Sequence, residues 1–122
     1  MKSAVATALL ALFMPAAHAL ELLVPAYFYP ADDGASYWQS LSDSAPGVGI
    51  TAILNPDSGP GSTLDTNYTA VVGSLQAAGG RVIGYVHTSY GTRSAATVRA
   101  EIDRYYTLYG VDGIFIDEMS ND

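Results

Sequence analysis

Val111-Asp112-Gly113-Ile114-Phe115-Ile116-Asp117-Glu118 is the stretch that decides the fold. Its centre, Ile114-Phe115-Ile116, is apolar on both sides of an extended chain. A strand buried on both faces, as in a parallel sheet, has this pattern. The strand runs directly into two acids. In α/β folds, groups at the carboxyl ends of parallel strands stand where the chemistry is placed. The stretch lies close to the last residue, Asp122, so a fold of this kind is expected to be cut short here.

Upstream, strand and helix patterns alternate. Leu22–Phe28 reads as a first strand, bounded by Pro30. A short helix is expected around Ala35–Ser42, with Asp33 as its N-cap and Trp38 and Leu41 on its apolar face. Gly49–Leu54 is a second strand, stopped by Asn55-Pro56. The next helix runs from about Thr66 to Ala78 behind an Asp65 cap. Tyr68, Val71, Val72, Leu75 and Ala78 fall on one side of it. Gly79-Gly80 ends it, because glycine accepts the left-handed conformation after a helix. Arg81–Val86 is a third strand. Ser94 caps a helix reaching Tyr109, with Val98, Ile102, Tyr105, Tyr106 and Tyr109 as its apolar stripe. Arg99 and Asp103 are spaced for an i,i+4 ion pair on the wet side. Gly110 closes that helix, and Asp112–Ile116 is the fourth strand.

Strands joined by helices imply a parallel sheet with right-handed crossovers. An open doubly wound sheet and half of a (β/α)₈ barrel both satisfy this order. The loops favour the barrel. Turns before the strands are short and plain, whereas those after the strands are long and carry most of the polar groups. An open sheet would concentrate its site at one switch point. The expected fold is therefore α/β, the first half of a (β/α)₈ TIM barrel with about four parallel strands. A complete barrel takes about 250 residues, and this chain has 122.

Composition narrows the function. Met1-Lys2, the apolar run Ala4–Met14 and Ala17-His18-Ala19 read as a secretory signal peptide over residues 1–19. The run is shorter than the roughly 20 residues of a bilayer span. A secreted or periplasmic mature chain from residue 20 to 122 is expected, with no membrane anchor after cleavage. The sequence holds 12 acids against 5 Lys plus Arg, and 0 cysteines. Without a basic patch it is not expected to bind nucleic acid. Without cysteine, thiolate metal sites and thiol nucleophiles are excluded. No cofactor is expected. Asn67-Tyr68-Thr69 matches the glycosylation sequon, a pattern frequent by chance.

Four segments follow the four strands and open on one face. They are Tyr27-Phe28-Tyr29-Pro30, Asn55-Pro56-Asp57-Ser58-Gly59-Pro60-Gly61, His87-Thr88-Ser89-Tyr90-Gly91-Thr92 and Asp117-Glu118-Met119-Ser120. Together they collect aromatic rings, amides, hydroxyls, one imidazole and several carboxylates. Sugars use such a mixture: C–H faces stack on rings, and hydroxyls take directional hydrogen bonds. Strand alternation puts Phe115 and Asp117 on one side and Ile114 and Ile116 on the other. With the isoleucines against the helices, Asp117 points to the barrel axis as a nucleophile or a stabiliser of an oxocarbenium ion. Glu118 joins it only if the backbone turns. His87 could donate to substrate, orient Asp117 or bind a metal. A single mature histidine makes a zinc site a weak reading.

Four runs resemble the spherulation-specific family 4 (spherulin-4-like) proteins. They are Leu23–Pro30, Ile53–Gly61, Gly84–Thr92 and Gly113–Glu118. The resemblance spans nearly all of the mature chain, with the motifs in order. It implies a (β/α)₈ glycoside hydrolase, some relatives cutting within galactosamine-containing exopolysaccharide. It carries the family's acidic pair onto Asp117 and Glu118 as catalytic residues. It also implies that Tyr27, Tyr29, Asn55, His87 and Tyr90 line the substrate cleft, with polysaccharide as the partner. It further implies a catalytic glutamate beyond this sequence, so the chain alone is expected to be inactive. A cationic, deacetylated galactosamine polymer would suit Asp32, Asp33, Asp57, Asp117 and Glu118. The alternatives are a noncatalytic secreted carbohydrate-binding or surface protein, and a metal-assisted deacetylase using His87 and Asp117. A half-barrel leaves two open strand edges, so the isolated chain is expected to be unstable, to aggregate or to pair with another half.

Overall fold

The computed structural model describes residues 20–121. The segment read as a signal peptide lies outside the described residues. Four strands and three helices alternate: β1 (Glu21–Ala26), α1 (Asp33–Ser44), β2 (Gly49–Leu54), α2 (Thr66–Ala77), β3 (Arg81–His87), α3 (Ala95–Tyr109) and β4 (Gly113–Asp117). All neighbouring strands pair in parallel, in the order β1-β2-β3-β4. This is the α/β architecture expected, the first half of a TIM barrel.

The sheet has two unlike faces. Ala26, Ile50, Ala52, Leu54, Val82 and Val86 are buried and join Trp38, Val72, Leu75, Tyr105 and Tyr109 of the helices in one core. Ile114 packs against that core from β4. The other face carries Ile53, Ile83, Tyr85, His87, Phe115 and Asp117, related across the strands by a regular register. That is the side a barrel turns inward.

Two contacts fix how the helices sit. Gly84 lies opposite Tyr105, and a Cβ there would come within 2.5 Å of the ring. The missing side chain lets α3 lie close, and the Tyr105 hydroxyl then donates to the Leu54 carbonyl at 3.1 Å. The Trp38 indole donates to the Phe28 carbonyl at 3.1 Å, tying α1 to the chain leaving β1. At the opposite end, the Asp112 carboxylate accepts from the Val82 amide at 2.8 Å and from Gln76 at 3.2 Å. This clamp holds the start of β4 against β3.

The helix caps match expectation at two starts of three. Asp65 accepts from the Asn67 amide, and Ser94 from the Thr97 amide. In α1 the expected cap, Asp33, is instead the first helical residue. Asp32 precedes it at φ 49°, with no side-chain capping bond. Gly34 explains the displacement: its Cα faces the Tyr29 carbonyl so closely that a Cβ would lie 1.8 Å from that oxygen. The chain must double back here, and the turn overrides the cap. Tyr106 is also a correction, being 48% exposed rather than part of the buried stripe. The Arg99–Asp103 ion pair does not form among the described residues. Glu101, midway between them in sequence, pairs with Arg93.

Candidate active site

β3 and β4 end side by side, with His87 opposite Asp117 in the register. Two strand ends that the sequence separates by a helix thus place their polar groups together. Asp117 leaves β4 on the same side as Phe115, as alternation requires. Both of its oxygens are engaged. The Tyr85 hydroxyl donates to Oδ2 at 2.8 Å, and the Glu118 amide donates to Oδ1 at 2.8 Å.

Glu118 adopts φ 53°, in the left-handed region. Such a conformation costs a non-glycine residue about 1–2 kcal/mol. It supplies the backbone turn that Glu118 needs to reach the site. Its carboxylate approaches His87 Nδ1 at 3.2 Å, with side-chain exposures of 34% and 25%. Nδ1 also lies 3.0 Å from Ser89 Oγ. When Nδ1 carries a proton it donates to Glu118. When it does not, the Ser89 hydroxyl can donate to it.

The turned segment is held from the neighbouring loop. The Tyr90 amide donates to the Glu118 carbonyl at 2.7 Å, and the Thr88 hydroxyl donates to the same oxygen. The Thr88 amide donates to the Asp117 carbonyl at 3.1 Å. Ser89 and Tyr90 are themselves left-handed, at φ 48° and 55°. Three strained residues around one carboxylate are a costly arrangement away from a functional site. Arg93 anchors the loop from behind. It donates to the His87 carbonyl at 2.7 Å and forms a two-pronged pair with Glu101 at 2.7 and 3.0 Å. The hydrogen bonds and charge of Glu101, with the charge of Glu118 behind them, hold the guanidinium's pKa above its ordinary value.

Tyr85 is the central residue that sequence reading missed. Its ring stacks on Phe115 at 6.2 Å, meets Tyr27 edge-on at 5.9 Å and lies 6.4 Å from His87. Burial, the hydrogen bond to Asp117 and the nearby negative charges push its phenol up to about 12. Burial, followed by the Asp117 charge, also raises Tyr27. The signal was present: Tyr85 and His87 share one face of β3, two residues apart. Its partner lies 32 residues away, a relation that only the strand register reveals.

The other expected cleft residues divide. Tyr27 and Tyr90 are 51% and 68% exposed on the strand-end face. Tyr29 is 49% exposed, but its hydroxyl is engaged. It donates to Asp65 Oδ2 at 2.9 Å and accepts from Asn67 Nδ2 at 2.9 Å. Asn55 accepts from the Gly59 amide at 2.9 Å and shapes the loop after β2. An apolar groove is lined in part by Thr88, Arg93, Val98, Ile102 and Met119. It includes none of the residues expected to touch substrate.

Comparison with known proteins identifies the family and agrees with the fold. Spherulin-4 of Physarum polycephalum is 50% identical over 104 residues, covering 83% of this chain and 30% of its own length. The crystal structure of Aspergillus clavatus Sph3 in complex with GalNAc superposes with a TM-score of 0.71 at 34% identity. That match covers 82% of this chain and 44% of the Sph3 chain. The chain thus spans less than half the length of either relative. The family model described as spherulation-specific family 4 matches residues 21–122, and the chain belongs to that family.

Proposed function

We propose that the chain forms the N-terminal half of a secreted glycoside hydrolase that cuts within a galactosamine-containing exopolysaccharide. The observation that carries this reading is the Asp117–Glu118 turn. It directs two neighbouring carboxylates, one into the Tyr85 phenol and one into His87, on the barrel's inward face. Sph3, 34% identical, was crystallised with GalNAc, which supports a sugar of that class as the ligand here.

Asp117 is the charged group nearest the reacting carbon, acting as nucleophile or as stabiliser of the oxocarbenium-like transition state. Glu118 works beside it, with its proton traffic coupled to His87 and Ser89. Tyr27 and Tyr90 supply ring faces for the sugar, His87 its imidazole, Tyr29 an exposed ring whose hydroxyl is already engaged, and Asn55 the loop that it braces. Glycoside hydrolysis uses two carboxyls on opposite sides of the bond, about 5 Å apart or more. Adjacent residues on one strand end serve that geometry poorly, so the opposing acid belongs to the other half of the barrel.

The test joins residues 20–122 to the part of the Sph3 chain beyond the matched region. Release of reducing ends from N-acetylgalactosamine-containing polymer is then measured. Asp117→Asn should lower kcat at least about 1000-fold, a loss of about 4 kcal/mol in transition-state stabilisation. Cleavage at the unsubstituted rate would sink the proposal. Equal cleavage of acetylated and deacetylated polymer at low salt would remove any role for the acidic rim in selecting a cationic substrate.

A second reading, a noncatalytic glycan-binding protein, is favoured by the pair's one-sided placement. Saturable binding of the polymer by the chain, with no cleavage by the joined protein, would support it.

A further inference from the structure

The geometry points to Tyr85 as a positioning residue for Asp117: its hydroxyl and the Glu118 amide each hold one carboxylate oxygen and fix the plane of the acid. The inference rests on the proposed role of Asp117 but concerns a residue that role does not include.

Three facts support it. The donor is aimed, at 2.8 Å from Oδ2. The second donor, at 2.8 Å from Oδ1, comes from the backbone of the strained residue Glu118. The carboxylate is therefore gripped across the β3–β4 seam by one group from each strand. Lastly, the Tyr85 ring cannot swing freely. Phe115 lies along one face at an interplanar angle of 24°, and Tyr27 abuts it at 79°. Packing fixes the ring, the ring fixes the hydroxyl, and the hydroxyl fixes the acid. Such a supporting shell is what keeps a reactive group in productive geometry.

The arrangement also assigns protonation roles. Tyr85 remains a neutral donor through the neutral and mildly alkaline range, since its phenol is pushed up to about 12. Each Asp117 oxygen accepts one hydrogen bond and keeps a lone pair for substrate. This pattern suits a group that works as an anion. The Glu118–His87–Ser89 cluster stands beside it, with a hydrogen-bond direction that depends on the imidazole tautomer.

The decisive experiment uses the full chain with ¹³C-labelled tyrosine. The Tyr85 Cζ signal, assigned by its loss in Tyr85→Phe, is followed against pH by NMR. In the unsubstituted chain its midpoint should lie near 12. In Asp117→Asn it should fall by at least one pH unit, because the charge and the charged acceptor are gone. A midpoint near the ordinary value of 10, or one unmoved by Asp117→Asn, overturns the inference. In the polymer-cleavage assay, Tyr85→Phe keeps the ring stack and removes only the donor. It should lower kcat at least tenfold with KM within twofold, at unchanged thermal stability. Unchanged kcat overturns the inference. A displaced Tyr85 midpoint in a protein that does not cleave polymer overturns the hydrolase reading alone.

Discussion

Glu118 shows how much one residue's backbone can decide. In regular strand geometry its side chain would point away from that of Asp117. At φ 53° it turns instead toward His87. Glycine would hold this conformation without steric cost. Glu118→Gly is therefore expected to leave stability undiminished, or to raise it by up to about 1 kcal/mol. The same change should reduce polymer cleavage at least 100-fold. Thermal melts beside reducing-end assays check both halves of the prediction. A clear fall in stability with intact cleavage would show that the carboxylate holds the loop and takes no part in the chemistry. Asp117 was legible from alternation, because its direction is opposite to that of Ile114, which packs on the core, although Ile116, also expected against the helices, is 42% exposed. Glu118 was legible only as a condition, since nothing in the sequence marks a glutamate for a left-handed turn. Tyr29 and Asn55 illustrate the opposite difficulty. Their residue types suit a sugar, yet the hydroxyl of one bridges Asp65 and Asn67, and the amide oxygen of the other braces Gly59.

At the scale of elements, the β-α order could be read because α2 and α3 each follow a side-chain cap and are closed by a left-handed glycine, Gly79 and Gly110. Asp65 and Ser94 behave as expected because their neighbours leave the backbone free to start a helix. Asp33 does not cap, because the tight approach of Gly34 to Tyr29 sets the entry to α1. Contacts between elements were the illegible part. Gly84 reads in sequence as a weak point in a strand, yet it is the seat of Tyr105. Gly84→Ala would drive a Cβ to 2.5–2.6 Å from three ring carbons if nothing moved. The ring must retreat, and the hydrogen bond from its hydroxyl to Leu54 is strained or lost. The expected destabilisation is about 3 kcal/mol, measurable as a lower urea midpoint. Because the inward face of β3 is untouched, the Tyr85–Asp117 hydrogen bond should survive in the fraction that folds. A variant as stable as the parent would mean that α3 stands off the sheet more easily than this packing implies.

Over the whole molecule, tyrosine is used three ways, and their separation yields a test of the fold. Tyr27 and Tyr90 face outward at the strand ends, Tyr85 supports an acid, and Tyr68 and Tyr105 lie in the core beneath the helices. Burial raises Tyr68 to about 12, with the charge of Asp65 adding to it. Burial raises Tyr105 further still, even though its hydroxyl is hydrogen-bonded. An unfolded chain releases the Tyr68, Tyr85 and Tyr105 protons near pH 10. The folded chain retains them to pH 12 and above, so it binds more protons than the unfolded chain between those limits. Stability must then fall as pH rises through that window, and these groups leave it flat below about pH 9. The thermal midpoint is expected to hold steady from pH 8 to 9 and to drop by more than about 5 °C between pH 10 and 12. Tyr68→Phe removes one of the late-titrating groups and should make the fall shallower. A midpoint independent of pH up to 12 would mean that these phenols titrate alike in the folded and unfolded chains. The helix layer would then not be closed over the sheet.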